Sequence, residues 1–372
     1  MATTGKSRRA PKKKPAKRRS VAPPGGPVTL AQAKALAAST APPSSLRRRG
    51  TVRRAAVAPK VTPASLGQQR QELKKLCREE RDRRTREYQA TMKILKARGV
   101  NGLTPAPTAG PGTRRRAPGP GAARPQPLQI LAEGDSWFEY PAHFFGGIIP
   151  RVEKLVGVPI LNLAKAGDEV RFMLGVEERE ILSNRLKAGS PAGGPWDVLL
   201  FSGGGNDIVD NPMALWIRDF NRSTPAADHI IQHRFDAALA LVRAGYEDLI
   251  AFRDSLSPQT HLIFHAYDFA IPDGRGVCFL GPWLKPAFDS HGFPKTGGVS
   301  QEVVKEMLSQ FAVMLRDLET RHPRVTTINA QGTLAPVKAS WHNELHPSRA
   351  GFDEFARIFH ERLKALFPGR VL

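Results

Sequence analysis

Short aliphatic runs alternate with longer amphipathic stretches through residues 128–372, and this alternation constrains the fold more than any other feature. A strand that is buried on both faces reads as a short apolar run, so the pattern predicts a parallel sheet with helices on both faces. The expected strands are 128–132, 159–163, 197–201, 261–266 and 325–329. The expected helices are about 147–155, 171–187, 234–255, 300–322 and 347–367. Residues 128–372, the body of the chain, are therefore predicted to form an α/β domain.

The basic residues are concentrated in the first third of the chain. Residues 1–127 contain 31 Lys and Arg against 5 Asp and Glu, whereas the remainder contains 25 against 29. This third is also rich in Pro, Ala and Gly and poor in aromatic residues, so it has little apolar surface to bury. We predict a disordered basic tail over 1–64, a charged helix over 65–99, a Gly/Pro/Arg linker over 100–127 and the folded domain over 128–372. The tail and the charged helix together form an N-terminal appendage. Because the linker separates them from the body, we expect the appendage not to pack against it.

The tail predicts a partner of opposite charge. A polycation attracts nucleic acid or an anionic surface through counterion release. No aromatic residue is interspersed among the charges of the first 60 residues, so nothing there would stack on bases or read a sequence. A solubilising or targeting tail explains the same composition, and the sequence leaves these alternatives open, as it does the oligomeric state.

The compartment is predicted from what the sequence lacks. It has no apolar run that could span a bilayer and no clear secretory signal, so we expect a cytoplasmic protein, with an organellar transit peptide as the open alternative. Cys77 and Cys278 form neither a disulfide framework nor a metal-binding spacing.

Three motifs follow the first three predicted strands. Gly134-Asp135-Ser136 follows strand one, Gly167 follows strand two, and Gly205-Asn206-Asp207 follows strand three. All three would lie at the carboxyl edge of the sheet, where open α/β sheets bind ligands. Glycine N–H groups and the Asn206 amide are suitable donors to the oxyanion of an acyl-transfer reaction. Taken alone, the first motif is more commonly a turn that caps a following helix. The glycine run 203–205 could be a flexible or phosphate-cradling turn, although no Lys-Ser/Thr follows it as in a Walker-type loop.

His346 precedes Pro347, which is a favourable first residue for the last predicted helix. Its imidazole would therefore lie in a loop near the same edge of the sheet. A serine hydroxyl is a weak nucleophile until a base takes its proton, and His346 is the candidate base for Ser136.

The four motifs, in this order, resemble those of the SGNH hydrolases, also called the GDSL-like lipase/esterase family, over about 128–367. The resemblance implies a three-layer α/β/α sandwich on a flavodoxin-like sheet and a serine hydrolase that needs no metal or organic cofactor. Its expected substrates are acyl, acetyl or aryl esters of a small molecule, a glycan or a lipid. It implies Ser136 as the nucleophile and His346 as the base. It also implies an oxyanion hole formed by the N–H groups of Ser136 and Gly167 and by the Asn206 side chain.

One position departs from the family pattern. The acid of Asp-x-x-His-Pro would stand three residues before the histidine, where this chain has Asn343. Either Glu344 supplies the carboxylate, or a dyad works with the Asn343 carbonyl or a backbone carbonyl, or the site is weakened. A weakened site would make the chain a hydrolase-like binding protein with a polycationic tail.

Aromatic residues near the motifs are candidates for substrate binding. Trp137 follows the nucleophile directly, and Phe279 and Trp283 lie in the long loop 269–298. They would line an apolar pocket, because small-molecule sites are mostly apolar with a few polar groups. Packing within the loop is the alternative explanation.

Overall fold

The computed structural model describes residues 26–40, 63–103, 126–141, 144–277, 280–295 and 298–372. Most of the predicted tail and linker, together with Phe279 and Cys278, therefore lies outside the described residues.

The body is built on a five-stranded sheet whose neighbouring strands are all parallel. The strand order is β2-β1-β3-β4-β5, which is the flavodoxin-like order. The strands are β1 Ile130–Gly134, β2 Ile160–Asn162, β3 Val198–Ser202, β4 His261–Ala266 and β5 Val325–Asn329. The predicted fold class is thus confirmed.

The helices cover the sheet on both faces. They are α1 Leu30–Thr40, α2 Pro63–Arg98, α3 Ile148–Val156, α4 Val170–Met173, α5 Val176–Ala188, α6 Gly205–Ile208, α7 Gln232–Leu256, α8 Lys285–Ser290, α9 Val299–Arg321 and α10 Arg349–Leu366. Short 3₁₀ helices occur at Asn211–Leu215, Ala226–His229 and Lys338–Ser340. No helix in the described ranges is both long and apolar enough to cross a membrane.

Strand β4 shows how the two layers of helices are held. Successive side chains of a strand point to opposite faces. Phe264 packs against Tyr246 of α7 with ring centroids 4.7 Å apart, whereas the next residue, His265, packs against Phe359 of α10 at 5.6 Å. The sheet is therefore the middle layer of an α/β/α sandwich.

The N-terminal appendage packs on the body, contrary to the prediction. Helix α2 lies along the edge strand β2 and buries Tyr88, Met92 and Leu95, which are spaced along one helix face. Helix α1 packs on α2 through Ala33, although disorder was predicted throughout 1–64. The apolar stripe of α2 is thin, but it is sufficient because the sheet edge provides the opposing surface.

Candidate active site

The turn that carries the predicted nucleophile Ser136, the nucleophile turn, begins where β1 ends. A Cβ on Gly134 would meet the Ser202 carbonyl oxygen at 2.6 Å, so only glycine fits at this point. The Asp135 carboxylate accepts hydrogen bonds from Tyr267 Oη at 2.5 Å and Ser202 Oγ at 2.8 Å, and burial raises its pKa to about 6. It also accepts from the backbone N–H of Trp137 at 3.0 Å. Asp135 therefore holds the turn that presents Ser136.

Ser136 and His346 are in direct contact. The distance from Ser136 Oγ to His346 Nε2 is 2.7 Å, and the two residues are only 8% and 6% exposed. The hydroxyl donates to Nε2 when the ring proton is on Nδ1. That nitrogen lies 2.9 Å from Asn343 Oδ1, which is the acceptor that this tautomer needs. The structure thus joins the predicted nucleophile, the predicted base and the Asn343 amide oxygen in one chain of hydrogen bonds.

The Asn343 amide has a defined orientation. Its oxygen also accepts the backbone N–H groups of Leu345 at 3.0 Å and His346 at 2.9 Å. An amide NH₂ at this place would face three donors, so the oxygen must point toward the loop that carries His346, the histidine loop. Asn343 can therefore fix the tautomer of His346, but it carries no charge with which to stabilise an imidazolium.

Glu344 does not reach the His346 ring, which removes it as the missing acid. Its carboxylate is fully buried and serves four backbone donors of the loop after β4. These are the N–H groups of Gly274 at 2.9 Å, Trp283 at 2.5 Å, Leu284 at 2.8 Å and Lys285 at 3.0 Å. Glu344 instead fastens this loop to the histidine loop.

Burial makes His346 a weak base in the resting site. Burial, which is the larger cause, and the positive charge that His342 carries when protonated together lower the pKa of the imidazole to about 3. His346 is therefore neutral at pH 7 and can accept the serine proton. Among the described residues no carboxylate forms a hydrogen bond with its ring, so a protonated His346 would need another source of stabilisation.

Two of the predicted oxyanion-hole residues, Gly167 and Asn206, meet at the loop that follows β2. Gly167 has a φ of 85°, a value that favours glycine. The Asn206 side chain donates one amide hydrogen to the Asp168 carbonyl at 2.9 Å and keeps a second hydrogen. Asn206, Ser136 and His346 line a common cavity of about 30 Å³, whereas Gly167 is not one of its lining residues.

Helix α2 supports this loop, a role that was not predicted from the sequence. Arg84 donates to the carbonyl of Asn162 at 3.1 Å and pairs with Glu139 at 2.9 Å. Arg81 pairs with Glu178 at 2.7 Å. Glu178 also pairs with Lys165, at 2.5 Å, so the contacts extend from α2 to the chain segment beside Gly167. The sequence offered no signal for this, since charged residues on a helix are usually solvated.

The aromatic candidates have different positions. Trp137 lines the cavity, and its indole N–H donates to the Leu345 carbonyl at 3.2 Å, which ties the nucleophile turn to the histidine loop. The Trp283 ring lies 5.9 Å from the His346 ring. Phe279 is outside the described residues.

The proteins found to be similar to this chain are solved structures. No family model matches the chain, and no curated protein matches it. The lipase Lip_vut3 from a goat rumen metagenome is 17% identical, with a TM-score of 0.40, over 63% of this chain and 96% of the lipase. An extracellular lipase from Streptomyces rimosus is 15% identical, with a TM-score of 0.38, over 63% of this chain and 99% of the lipase.

Many of the similar structures are SGNH or GDSL-like lipases and esterases. The chain is similar to SGNH hydrolases. The identities and TM-scores are low, so the geometry around Ser136 carries the functional conclusion.

Proposed function

We propose that this chain is an SGNH-type serine hydrolase of carboxylic esters. The contact between Ser136 Oγ and His346 Nε2, with Asn343 Oδ1 on the opposite ring nitrogen, is the observation that supports it. A hydroxyl that donates to a neutral imidazole of fixed tautomer is poised to become a nucleophile.

The reaction follows from these positions. His346 Nε2 takes the proton of Ser136 as Oγ attacks the ester carbonyl carbon. The N–H groups of Ser136 and Gly167 and the second amide hydrogen of Asn206 stabilise the oxyanion. The C–O bond then breaks, and the imidazolium protonates the leaving alkoxide to give an alcohol and an acyl-enzyme. Water repeats the sequence with His346 as base, which releases the acid and restores Ser136.

The cavity favours a short acyl group. It has a volume of about 30 Å³ and an apolar wall. That wall is formed by Val209, Ala270, Val304, Leu308 and Leu345. Val304 and Leu308 belong to α9 and are almost fully buried, so they limit the depth of the cavity. The preferred substrates are therefore acetyl or similarly short esters.

Hydrolysis of p-nitrophenyl esters tests this proposal. We expect wild-type protein to hydrolyse the acetate and kcat/KM to fall at least ~10-fold between acetate and octanoate, because a filled apolar pocket discriminates by chain length. Leu308→Ala should raise octanoate hydrolysis relative to acetate, since it deepens the pocket.

Leu241→Ala is the matched control, because the same substitution is made at a side chain of α7 that is 59% exposed. It should leave the ratio unchanged. Equal rates on all chain lengths, or a ratio that moves in both variants, would contradict a short acyl pocket lined by Leu308.

A further inference from the structure

Tyr140 contacts both the candidate base and the residue that orients it. Its ring lies 4.5 Å from the His346 ring, measured between centroids, with 38° between the planes. Its hydroxyl oxygen accepts a hydrogen bond from Asn343 Nδ2 at 3.3 Å and lies 2.7 Å from His342 Nδ1. Tyr140 itself is 3% exposed. The buried tyrosine ring is therefore held against the imidazole by the contacts of its hydroxyl group with Asn343 and His342.

This contact matters because His346 becomes a cation during the proposed reaction. In a site with a carboxylate, that cation would be neutralised by its partner, whereas Asn343 offers only a dipole. An aromatic face attracts a cation within about 6 Å of its centroid, and the attraction is larger where water is excluded. The 4.5 Å ring contact meets that distance in a buried site.

We propose that Tyr140 substitutes in part for the missing carboxylate, with its ring stabilising protonated His346 and its hydroxyl holding the Asn343 amide. This inference rests on the proposed hydrolase function of the same site. It makes Tyr140 a positioning residue, since it acts on His346 and Asn343 rather than on the ester.

The two contacts of Tyr140 can be separated by substitution. Tyr140→Phe keeps the ring and removes the hydroxyl, so kcat should fall only about 3- to 5-fold. Tyr140→Leu removes both, and kcat should fall about 10- to 30-fold with KM within threefold. Tyr140→Met is the second variant without an aromatic face, in case the leucine variant does not fold.

Two further readouts separate this role from simple packing. In an Asn343→Asp background a carboxylate stabilises the imidazolium, so Tyr140→Leu should cost less than about threefold. Titration of the His346 ring by NMR should show that Tyr140→Leu weakens proton binding by about tenfold. This titration does not require turnover, so its result is independent of whether the chain hydrolyses esters.

Two controls complete the experiment. Phe352 packs on the Tyr140 ring at 5.7 Å, and the structure describes no ring contact between Phe352 and His346. Phe352→Leu should therefore leave the His346 titration unchanged. The charge of protonated His342 acts on His346, so the titration is repeated in His342→Gln to remove that charge.

His346 is expected to bind its proton more weakly in Tyr140→Leu and Tyr140→Met and as tightly as in the wild type in Tyr140→Phe. The loss of kcat caused by Tyr140→Leu is expected to be smaller in the Asn343→Asp background. Unchanged proton binding in folded variants without the ring would overturn the proposal. So would a kinetic loss of equal size in the wild-type and Asn343→Asp backgrounds. An inactive wild type with the expected titration would contradict the hydrolase function alone.

Discussion

Replacing His346 with alanine is expected to lower kcat for p-nitrophenyl acetate by ~10²–10⁴-fold, because the Ser136 hydroxyl loses its proton acceptor at 2.7 Å. KM should change little, since the apolar wall of the cavity remains. Steady-state kinetics on folded protein, checked by circular dichroism, measures this loss.

His233→Ala is the control for removing an imidazole. His233 is exposed on α7, away from the cavity lining. It should retain wild-type kinetics. If His346→Ala kept activity within about threefold of wild type, general-base catalysis by this residue would be excluded.

Removing the N-terminal appendage should greatly lower the stability of the domain. A chain that starts at residue 104 loses Tyr88, Met92 and Leu95 from the covered edge of the sheet. Each buried side chain of this size contributes about 1.5–3 kcal/mol. The total is comparable with the whole stability of a domain, about 5–15 kcal/mol. We therefore expect poor soluble yield, or a melting temperature far below that of the full chain.

Whatever fraction of that chain folds should also have a lower kcat, because Arg81 and Arg84 no longer hold the segment beside Gly167. A chain that starts at residue 26 is the matched control, since it keeps every described contact. Full stability and activity in the protein starting at residue 104 would show that α2 is dispensable. That outcome is the one that the sequence alone favoured.

Several parts of the site were accessible from sequence because they depend on local patterns. Buried strands read as aliphatic runs, and parallel strands bring their carboxyl ends to one edge, so Ser136 and Asn206 could be placed near one another. The position of His346 before Pro347 located the candidate base in a loop at the start of a helix. The Asn343 departure was also visible, and its amide oxygen does face the His346 ring.

Other parts depend on partners far away in the chain. Glu344 could not be excluded as the acid, because its direction is set by N–H groups of Gly274 and Leu284, which lie 70 and 60 residues away. The packing of α2 was missed because the edge of β2 that it covers is formed only after the sheet folds. Nothing in the sequence distinguishes Tyr140 from the aromatic residues around it, and only the folded chain places its ring on His346.

Covalent labelling of Ser136 by a fluorophosphonate tests the central claim most directly, because the probe reacts only with an activated serine in a formed oxyanion hole. Intact mass and peptide mapping should show one adduct on Ser136 in the full chain, none on that residue in Ser136→Ala, and much slower labelling in His346→Ala. Folded wild-type protein that stays unlabelled, or labelling that is indifferent to His346, would contradict the proposed hydrolase. The first of these results would favour a binding protein with a hydrolase-like body.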